Sequence, residues 1–193
     1  MPLIIQIPAQ ELYDHKARRF ITVSEKTLTF EHSLLSISKW EARWHESFMS
    51  MINVRKPTPE IEEKMRDYIR CMCLTNGVDD TVFYALDQKA VNQIRNYIED
   101  PMTGTTFKKK EQKSSRKQII TNEIVYYWMT ELNIPFDPCQ KWHYNHLMAL
   151  IQVASIEKEK QAPKKKGKRA ERDAINRIAA ENARRREMFH TNG

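Results

Sequence analysis

The sequence is poor in glycine, with only 4 among its 193 residues. They are Gly77, Gly104, Gly167 and Gly193, and none belongs to the closely spaced pattern of a phosphate-binding loop. Such loops need glycine where the backbone approaches a phosphate oxygen, so neither a dinucleotide-binding fingerprint nor a P-loop is present. This scarcity argues against nucleotide-dependent catalysis.

Long apolar runs and paired cysteines are also missing. The longest apolar run, residues 124–129, is far shorter than the ~20 residues that a membrane-spanning helix needs. The first residues lack the basic lead and the long apolar stretch of a signal peptide. The 3 cysteines, an odd number, argue against a disulfide framework and indicate a reducing cytoplasm.

The residues able to do chemistry form no complete site. Cys71 and Cys73 lie two apart on a predicted helix, so they point to opposite sides and cannot share a metal. Cys139 and His143 are one helical turn apart, the minimum for a Cys–His nucleophile pair, but no orienting third group accompanies them. His143 and His146 have a spacing that metal ligands use, although histidines on a helix surface are commoner. We predict no enzymatic activity, and no catalytic, cofactor-binding or metal site.

The net charge of +7 is concentrated in two segments. Residues 156–193 carry 12 Lys or Arg against 6 Asp or Glu, and residues 108–117 carry +5, which leaves −4 for the rest. This layout favours contact with an acidic partner through defined segments. The alternative is a solvated loop and a solubilising tail. The predicted partner-binding residues are Lys108, Lys109, Lys110, Arg116, Lys117, Lys164, Lys165, Lys166, Arg184, Arg185 and Arg186.

The first thirty residues predict strands. Residues 3–7, 20–23 and 27–30 are rich in β-branched and aromatic side chains, and the last two runs are separated by only three residues. We therefore expect a small hairpin, or a three-stranded patch, at the start of the chain.

Helical periodicity follows. Trp40, Trp44 and Phe48 are spaced as one helical stripe, and Thr58-Pro59 and Asp87 can begin two further helices. Two more helices are expected from residue 115, where Ser115 and Gln118 form a capping box, and from residue 137, where Asp137 and Gln140 form another. These stripes predict helices that pack on one another.

The predicted fold class is mainly α, with a bundle of about five helices, the small N-terminal β element and a basic C-terminal helical tail. The predicted divisions are a domain over residues 1–155, a basic flexible linker over 156–168 and a basic helix or tail over 169–193. The tail helix has few apolar residues, so we expect it to become ordered on a partner.

The order of several blocks resembles a known family. The blocks are SLLSISKWE (33–41), YIRCM (68–72), YIEDPMT (97–103), IIT (119–121), YYWM (126–129), NIPF (133–136), WH (142–143) and NARRR (182–186). The chain resembles proteins of the tail-morphogenesis region of long-tailed bacteriophages and prophages, and is similar to tail assembly chaperones. The likeness spans nearly the whole chain.

The resemblance implies a non-enzymatic protein in the cytoplasm of the infected bacterium. It would coat the tape-measure protein, keep it from aggregating, and help the major tail (tube) protein to polymerise around it. Self-association is compatible with this role. The family carries no catalytic residues or cofactors to transfer.

Two alternatives remain open at this stage. A structural head–tail or neck component would stay in the virion. A nonspecific nucleic-acid-binding protein would act through the basic tail, although Phe189 is the only aromatic residue after position 155 to stack on bases.

Overall fold

The computed structural model describes residues 1–14, 18–53, 58–107, 119–161, 176–182 and 184–185. The chain divides into two compact units, Met1–Ser155 and Ile156–Gly193. The first unit contains a buried core and all the strands among the described residues, whereas the described residues of the second unit are helical and exposed.

The strands pair in a nested order. β1 (Leu3–Ile7) pairs with β4 (Lys26–Phe30), and β2 (Gln10–Asp14) pairs with β3 (Arg19–Val23), both antiparallel. The β2–β3 hairpin is therefore inserted between the two strands of the first sheet. In the β1–β4 sheet alternate side chains face the core, as a half-buried antiparallel sheet requires, and they are Ile5, Ile7, Leu28 and Phe30.

The helical elements follow the strands along the chain. They are α1 (Leu34–Trp44), α2 (Phe48–Ile52), α3 (Pro59–Met72), a 3-10 helix (Asp80–Tyr84), α4 (Gln88–Glu99), α5 (Asn122–Glu131), α6 (Phe136–Cys139) and α7 (Tyr144–Gln161). As predicted, Thr58 caps α3 and Asp87 caps α4, each through a side-chain oxygen that accepts a backbone N–H.

The core lies where α1 and α3 meet the β1–β4 sheet. Trp40 is fully buried, and its ring nitrogen donates to the Lys64 carbonyl at 2.9 Å. The chain after α3 continues the sheet, because the Leu74 N–H donates to the Thr29 carbonyl at 2.8 Å. This contact covers the outer edge of β4 and joins α3 to the strands.

The predicted mainly α fold class is wrong. The described residues form a mixed fold with two separate two-stranded sheets, and their helices do not make a bundle of about five. The apolar stripes were identified correctly, but an apolar stripe gains as much by packing on a sheet as on another helix. Here α1 packs mainly on α3 and α5, whereas α4 packs on β1 of the first sheet.

The predicted hairpin between residues 20–23 and 27–30 is also wrong. Both strands exist, but each pairs with a strand from earlier in the chain. β2 is the strand missing from the prediction, since Gln10-Glu11-Leu12-Tyr13-Asp14 is too polar to read as a strand. With β2 present, β3 pairs with β2 and β4 pairs with β1, so each sheet has only two strands.

Several helix boundaries differ from the prediction. The stripe of Trp40, Trp44 and Phe48 is broken after Trp44, and Phe48 begins α2 instead. The helix predicted from residue 137 is split into α6 and α7, which residues 140–143 separate, and Asp137 within α6 is not helical. The Ser115–Gln118 capping box lies outside the described residues, and α5 begins at Asn122.

The predicted linker 156–168 begins as helix. α7 continues through Gln161, and residues 162–168 lie outside the described residues. Glu157 and Lys160 form an ion pair at 2.6 Å within this last part of α7. Lys, Glu and Gln are good helix formers, so the helix extends until the segment that contains Pro163.

His45 ends α1 in the left-handed region, with φ 55°. Only glycine adopts this conformation without steric cost. We expect His45→Gly to raise the free energy of unfolding by about 0.5 kcal/mol, measured by urea denaturation. His45→Ala is the matched control, and a gain of the same size in that variant would show that the backbone conformation is not the cause.

Candidate functional site

Most of the predicted partner-binding residues lie outside the described residues. This applies to Lys108, Lys109, Lys110, Arg116, Lys117, Lys164, Lys165, Lys166 and Arg186. Arg184 and Arg185 are described, and both are exposed. Arg185 donates to Glu181 at 2.7 Å, an (i, i+4) ion pair that holds its charge along the helix surface.

The described residues bring together a buried polar group that the sequence did not indicate. We call it the histidine cluster, and it consists of His32, Ser36, Tyr68, Tyr97 and His143. The rings of the two histidines lie 5.1 Å apart, although the residues are 111 positions apart in the sequence. No local periodicity connects such distant residues, so only the tertiary fold reveals the pair.

Hydrogen bonds join the members of the histidine cluster in two groups, and the ring contact between His32 and His143 connects the groups. Nδ1 of His32 bonds to the Tyr68 hydroxyl, which lies 3.3 Å from the Ser36 hydroxyl. Nε2 of His143 donates to the Tyr97 carbonyl at 2.9 Å, and its Nδ1 accepts the Asn145 N–H at 3.3 Å. His143 is thus a neutral imidazole, since one nitrogen donates and the other accepts.

Burial sets the protonation of this cluster. Desolvation, together with the nearby His143, lowers the pKa of His32 from 6.5 to about 3. Burial likewise lowers the pKa of His143, and it raises the pKa of Tyr68 well above its usual value. All three groups therefore stay neutral near pH 7, although Glu31 and Asp100 partly offset the effect of burial on His143.

The prediction that Cys139 and His143 lie one turn apart in a single helix is wrong. Cys139 ends α6 and is 3% exposed, whereas His143 precedes α7. Both nitrogens of His143 are already bonded to the backbone, so neither is available to activate a thiol. Cys71 is also buried, and burial raises its pKa to about 11, which favours the unreactive thiol over the thiolate.

Glu41 forms a second buried polar site, which joins two helix N-termini. One carboxylate oxygen accepts the Phe48 N–H and the other accepts the Asn122 N–H, each at 2.8 Å. These are the first residues of α2 and α5, whose N–H groups have no partner inside their helices. Burial raises the pKa of Glu41 despite the two donors, so the site is a structural connection with a desolvated carboxylate.

The β2–β3 hairpin presents an exposed aromatic pair. Tyr13 lies opposite Phe20, and their rings meet edge to face at 5.2 Å. Phe20 is 67% exposed and Tyr13 is 46% exposed. The described part of the chain also exposes Ile4 and Tyr127, but on other elements. Contiguous exposed apolar groups mark interaction surfaces more often than single ones do, so this pair is the best candidate for a binding site.

The comparisons with known proteins gave no match. No protein-family model, curated protein or solved structure matches this chain. Among the described residues, no helix is long and apolar enough to span a membrane, and no group of three or more His, Cys, Asp or Glu side chains could hold a metal ion.

Proposed function

We propose that this protein is a phage tail assembly chaperone, which binds the tape-measure protein and assists polymerisation of the tail tube. It would act in the cytoplasm of the infected bacterium without an enzymatic step. The observation that best supports the proposal is where the blocks that carry the resemblance lie in the fold.

Several of those blocks contribute to the core of the first unit, whereas NARRR (182–186) lies in the second unit. Trp40 bonds to the backbone of α3, and Tyr97 accepts a hydrogen bond from His143 through its carbonyl oxygen. Met72 and Met129 are fully buried in the same core. The proposed role rests on the resemblance of these blocks, and their burial is compatible with it.

Co-expression with the tape-measure protein tests the proposal. We expect the full chain to raise the soluble fraction of the tape-measure protein several-fold, because exposed apolar helices aggregate unless they are covered. The measurement is the amount of tape-measure protein in the supernatant after centrifugation. Unchanged aggregation in the presence of the full chain would exclude the chaperone role.

The basic tail provides a second test of the same role. Replacing Lys164, Lys165 and Lys166 and Arg184, Arg185 and Arg186 by Gln should reduce recruitment of tube subunits, because it removes all of the tail's excess positive charge. The double variant Lys89→Gln/Lys141→Gln, which removes charge from the first unit, is the control for charge loss in general. Equal recruitment by both variants would show that the tail does not carry this contact.

Two results would favour the alternatives. Detection of the chain by mass spectrometry in purified virions would indicate a structural head–tail or neck component. DNA affinity that collapses between about 50 and about 200 mM salt would indicate nonspecific nucleic-acid binding.

A further inference from the structure

The β1–β4 sheet has one covered edge, along β4. The Thr29 N–H donates to the Thr75 hydroxyl at 3.0 Å, and the Thr29 carbonyl accepts the Leu74 N–H at 2.8 Å. Both backbone groups of Thr29 therefore point away from β1. In an antiparallel pair, successive residues direct their backbone groups alternately towards the partner strand and away from it. Ile4 lies opposite Thr29, so its own N–H and carbonyl point away from β4.

The other edge of the sheet, along β1, is open. The same alternation turns the backbone groups of Gln6 outwards, so two N–H groups and two carbonyls line what we call the open edge. None of these groups has a hydrogen-bond partner among the described residues. Ile4 is 64% exposed, and Gln6 is exposed as well. Pro2 and Pro8, also exposed, limit the open edge at its two ends because proline has no N–H.

No charged side chain lies along the open edge. Residues 1–10 contain neither Lys, Arg, Asp nor Glu, and the outer face of the sheet is formed by Ile4, Gln6, Thr27 and Thr29. Monomeric proteins commonly place charges or a bulge in an edge strand, which prevents pairing with another chain. Like charges that face each other across two strands are destabilising, so a charged edge repels its own copy. This edge carries no such repulsion.

The hydrogen-bonding pattern of the open edge is the same in both directions along the strand. The outward positions Pro2, Ile4, Gln6 and Pro8 are spaced symmetrically about Ile5. An antiparallel copy runs in the reverse direction and therefore presents an identical pattern. In that register Ile4 faces the second copy's Gln6, and Gln6 faces its Ile4. Each facing pair exchanges two hydrogen bonds, and the ladder ends at the same prolines in both copies.

We propose that the open edge of β1 binds the same edge of a second copy of this chain. The two β1–β4 sheets then form one four-stranded antiparallel sheet, with a two-fold axis at Ile5. The inference does not depend on the proposed chaperone function. An edge of five residues makes a small interface, so we expect a reversible dimer with a dissociation constant on the order of 10 to 100 μM.

Sedimentation velocity of the full chain, from about 5 to about 500 μM, tests the inference with Gln6→Pro. This change removes the outward N–H of Gln6, and with it two of the four hydrogen bonds between the copies, but no bond to β4. We expect the dissociation constant to rise at least about tenfold. Gln6→Thr is the matched control, because it keeps the N–H and the β propensity. It should stay within about twofold of the wild type, and thermal unfolding should show that both variants are folded.

A pair of charge variants tests the register and does not require a proline in the strand. Ile4→Lys and Gln6→Glu each change an exposed side chain, so the core is preserved. Each variant alone should dimerise several-fold more weakly than the wild type, because its charge meets its own copy. An equimolar mixture should associate more tightly than either variant alone, since the two new side chains face each other in the proposed register. Gln152→Lys, an exposed change on α7, should dimerise like the wild type.

Amide hydrogen exchange locates the interface. We expect exchange at Ile4 and Gln6 to slow several-fold as the protein concentration rises, whereas Ile5, which bonds to β4 within each copy, should not change. A wild-type chain that stays monomeric up to about 500 μM would overturn the inference. A dimer that Gln6→Pro or the single charge variants leave intact would also overturn it, because such a dimer forms through another surface.

Discussion

Acidification below pH 6.5 should destabilise this protein steeply because of His32. The unfolded chain binds a proton at this residue near pH 6.5, but the folded chain does so only near pH 3, since burial and His143 lower the pKa. The folded pKa is the lower one, so the stabilisation is complete above pH 6.5 and is lost as the pH falls towards 3. The expected slope is about 1.4 kcal/mol per pH unit, or about 5 kcal/mol over the window.

The surroundings of His32 offer no compensation for a positive charge. The groups that face it are Tyr68 from α3, Phe48 from α2, and His143 and Tyr144 at the start of α7. None is a carboxylate, and His143 would itself become cationic in acid. Protonation of one histidine therefore raises the free energy needed to protonate the other in the folded state. In acid the core opens instead, because the unfolded chain can take up both protons.

His32→Phe tests this assignment, because it keeps a ring at the site and removes the titrating group. We expect it to cost about 1 to 2 kcal/mol at pH 7, through the lost bond to Tyr68, and to reduce the slope between pH 6.5 and 3. The measurement is the free energy of unfolding in urea at a series of pH values. His146→Gln is the control, since His146 is exposed. An unchanged slope in His32→Phe would assign the acid sensitivity to other groups.

Glu41→Ala should be the most destabilising change at a charged residue that we consider. It removes the acceptors of two buried N–H groups at the starts of α2 and α5, each worth about 1.5 to 3 kcal/mol when the acceptor is charged. We expect a loss of about 3 kcal/mol or more in the free energy of unfolding. A second hydrogen bond joins the same two segments, because the Ser47 hydroxyl donates to the Ile120 carbonyl at 2.7 Å.

Glu41→Gln separates hydrogen bonding from charge. The amide keeps one carbonyl acceptor but turns an NH2 group towards the second N–H, so we expect an intermediate loss of about 1 to 2 kcal/mol. Glu63→Ala, an exposed change on α3, should stay within about 0.5 kcal/mol of the wild type. Equal values for Glu41→Ala and Glu63→Ala would show that the connection adds nothing to stability.

The features that could be predicted from the sequence are those that depend on residues close together in the chain. The caps at Thr58 and Asp87 and the strand at residues 3–7 were identified, because the side chain and the backbone that it serves are close in the chain. Glu41 could also have been identified as a buried carboxylate. It lies between Ile37 and Trp44 on the apolar stripe of α1, and a carboxylate on such a stripe indicates a buried role.

What the sequence could not predict depends on long-range pairing. β4 was assigned to its neighbour β3, but β1 competes for the same edge and wins, since that pairing buries Ile5 against Leu28. The histidine cluster has no local signal at all. Tyr13 and Phe20 were missed for a related reason, because their alignment appears only after the polar strand β2 is recognised.

The contacts at the start of α7 have a consequence for the order of folding. The Leu35 N–H donates to the Gln140 carbonyl at 3.1 Å, and the Tyr144 N–H donates to the His32 carbonyl at 2.6 Å. Each bond joins residues that are far apart in the chain, so the entropy lost on closing the loop between them must be overcome before the bond forms. A nascent chain that has not yet exposed residues 140–147 lacks these contacts at the start of α1. We therefore expect the first unit to complete its folding late on the ribosome, even though its strands are synthesised first.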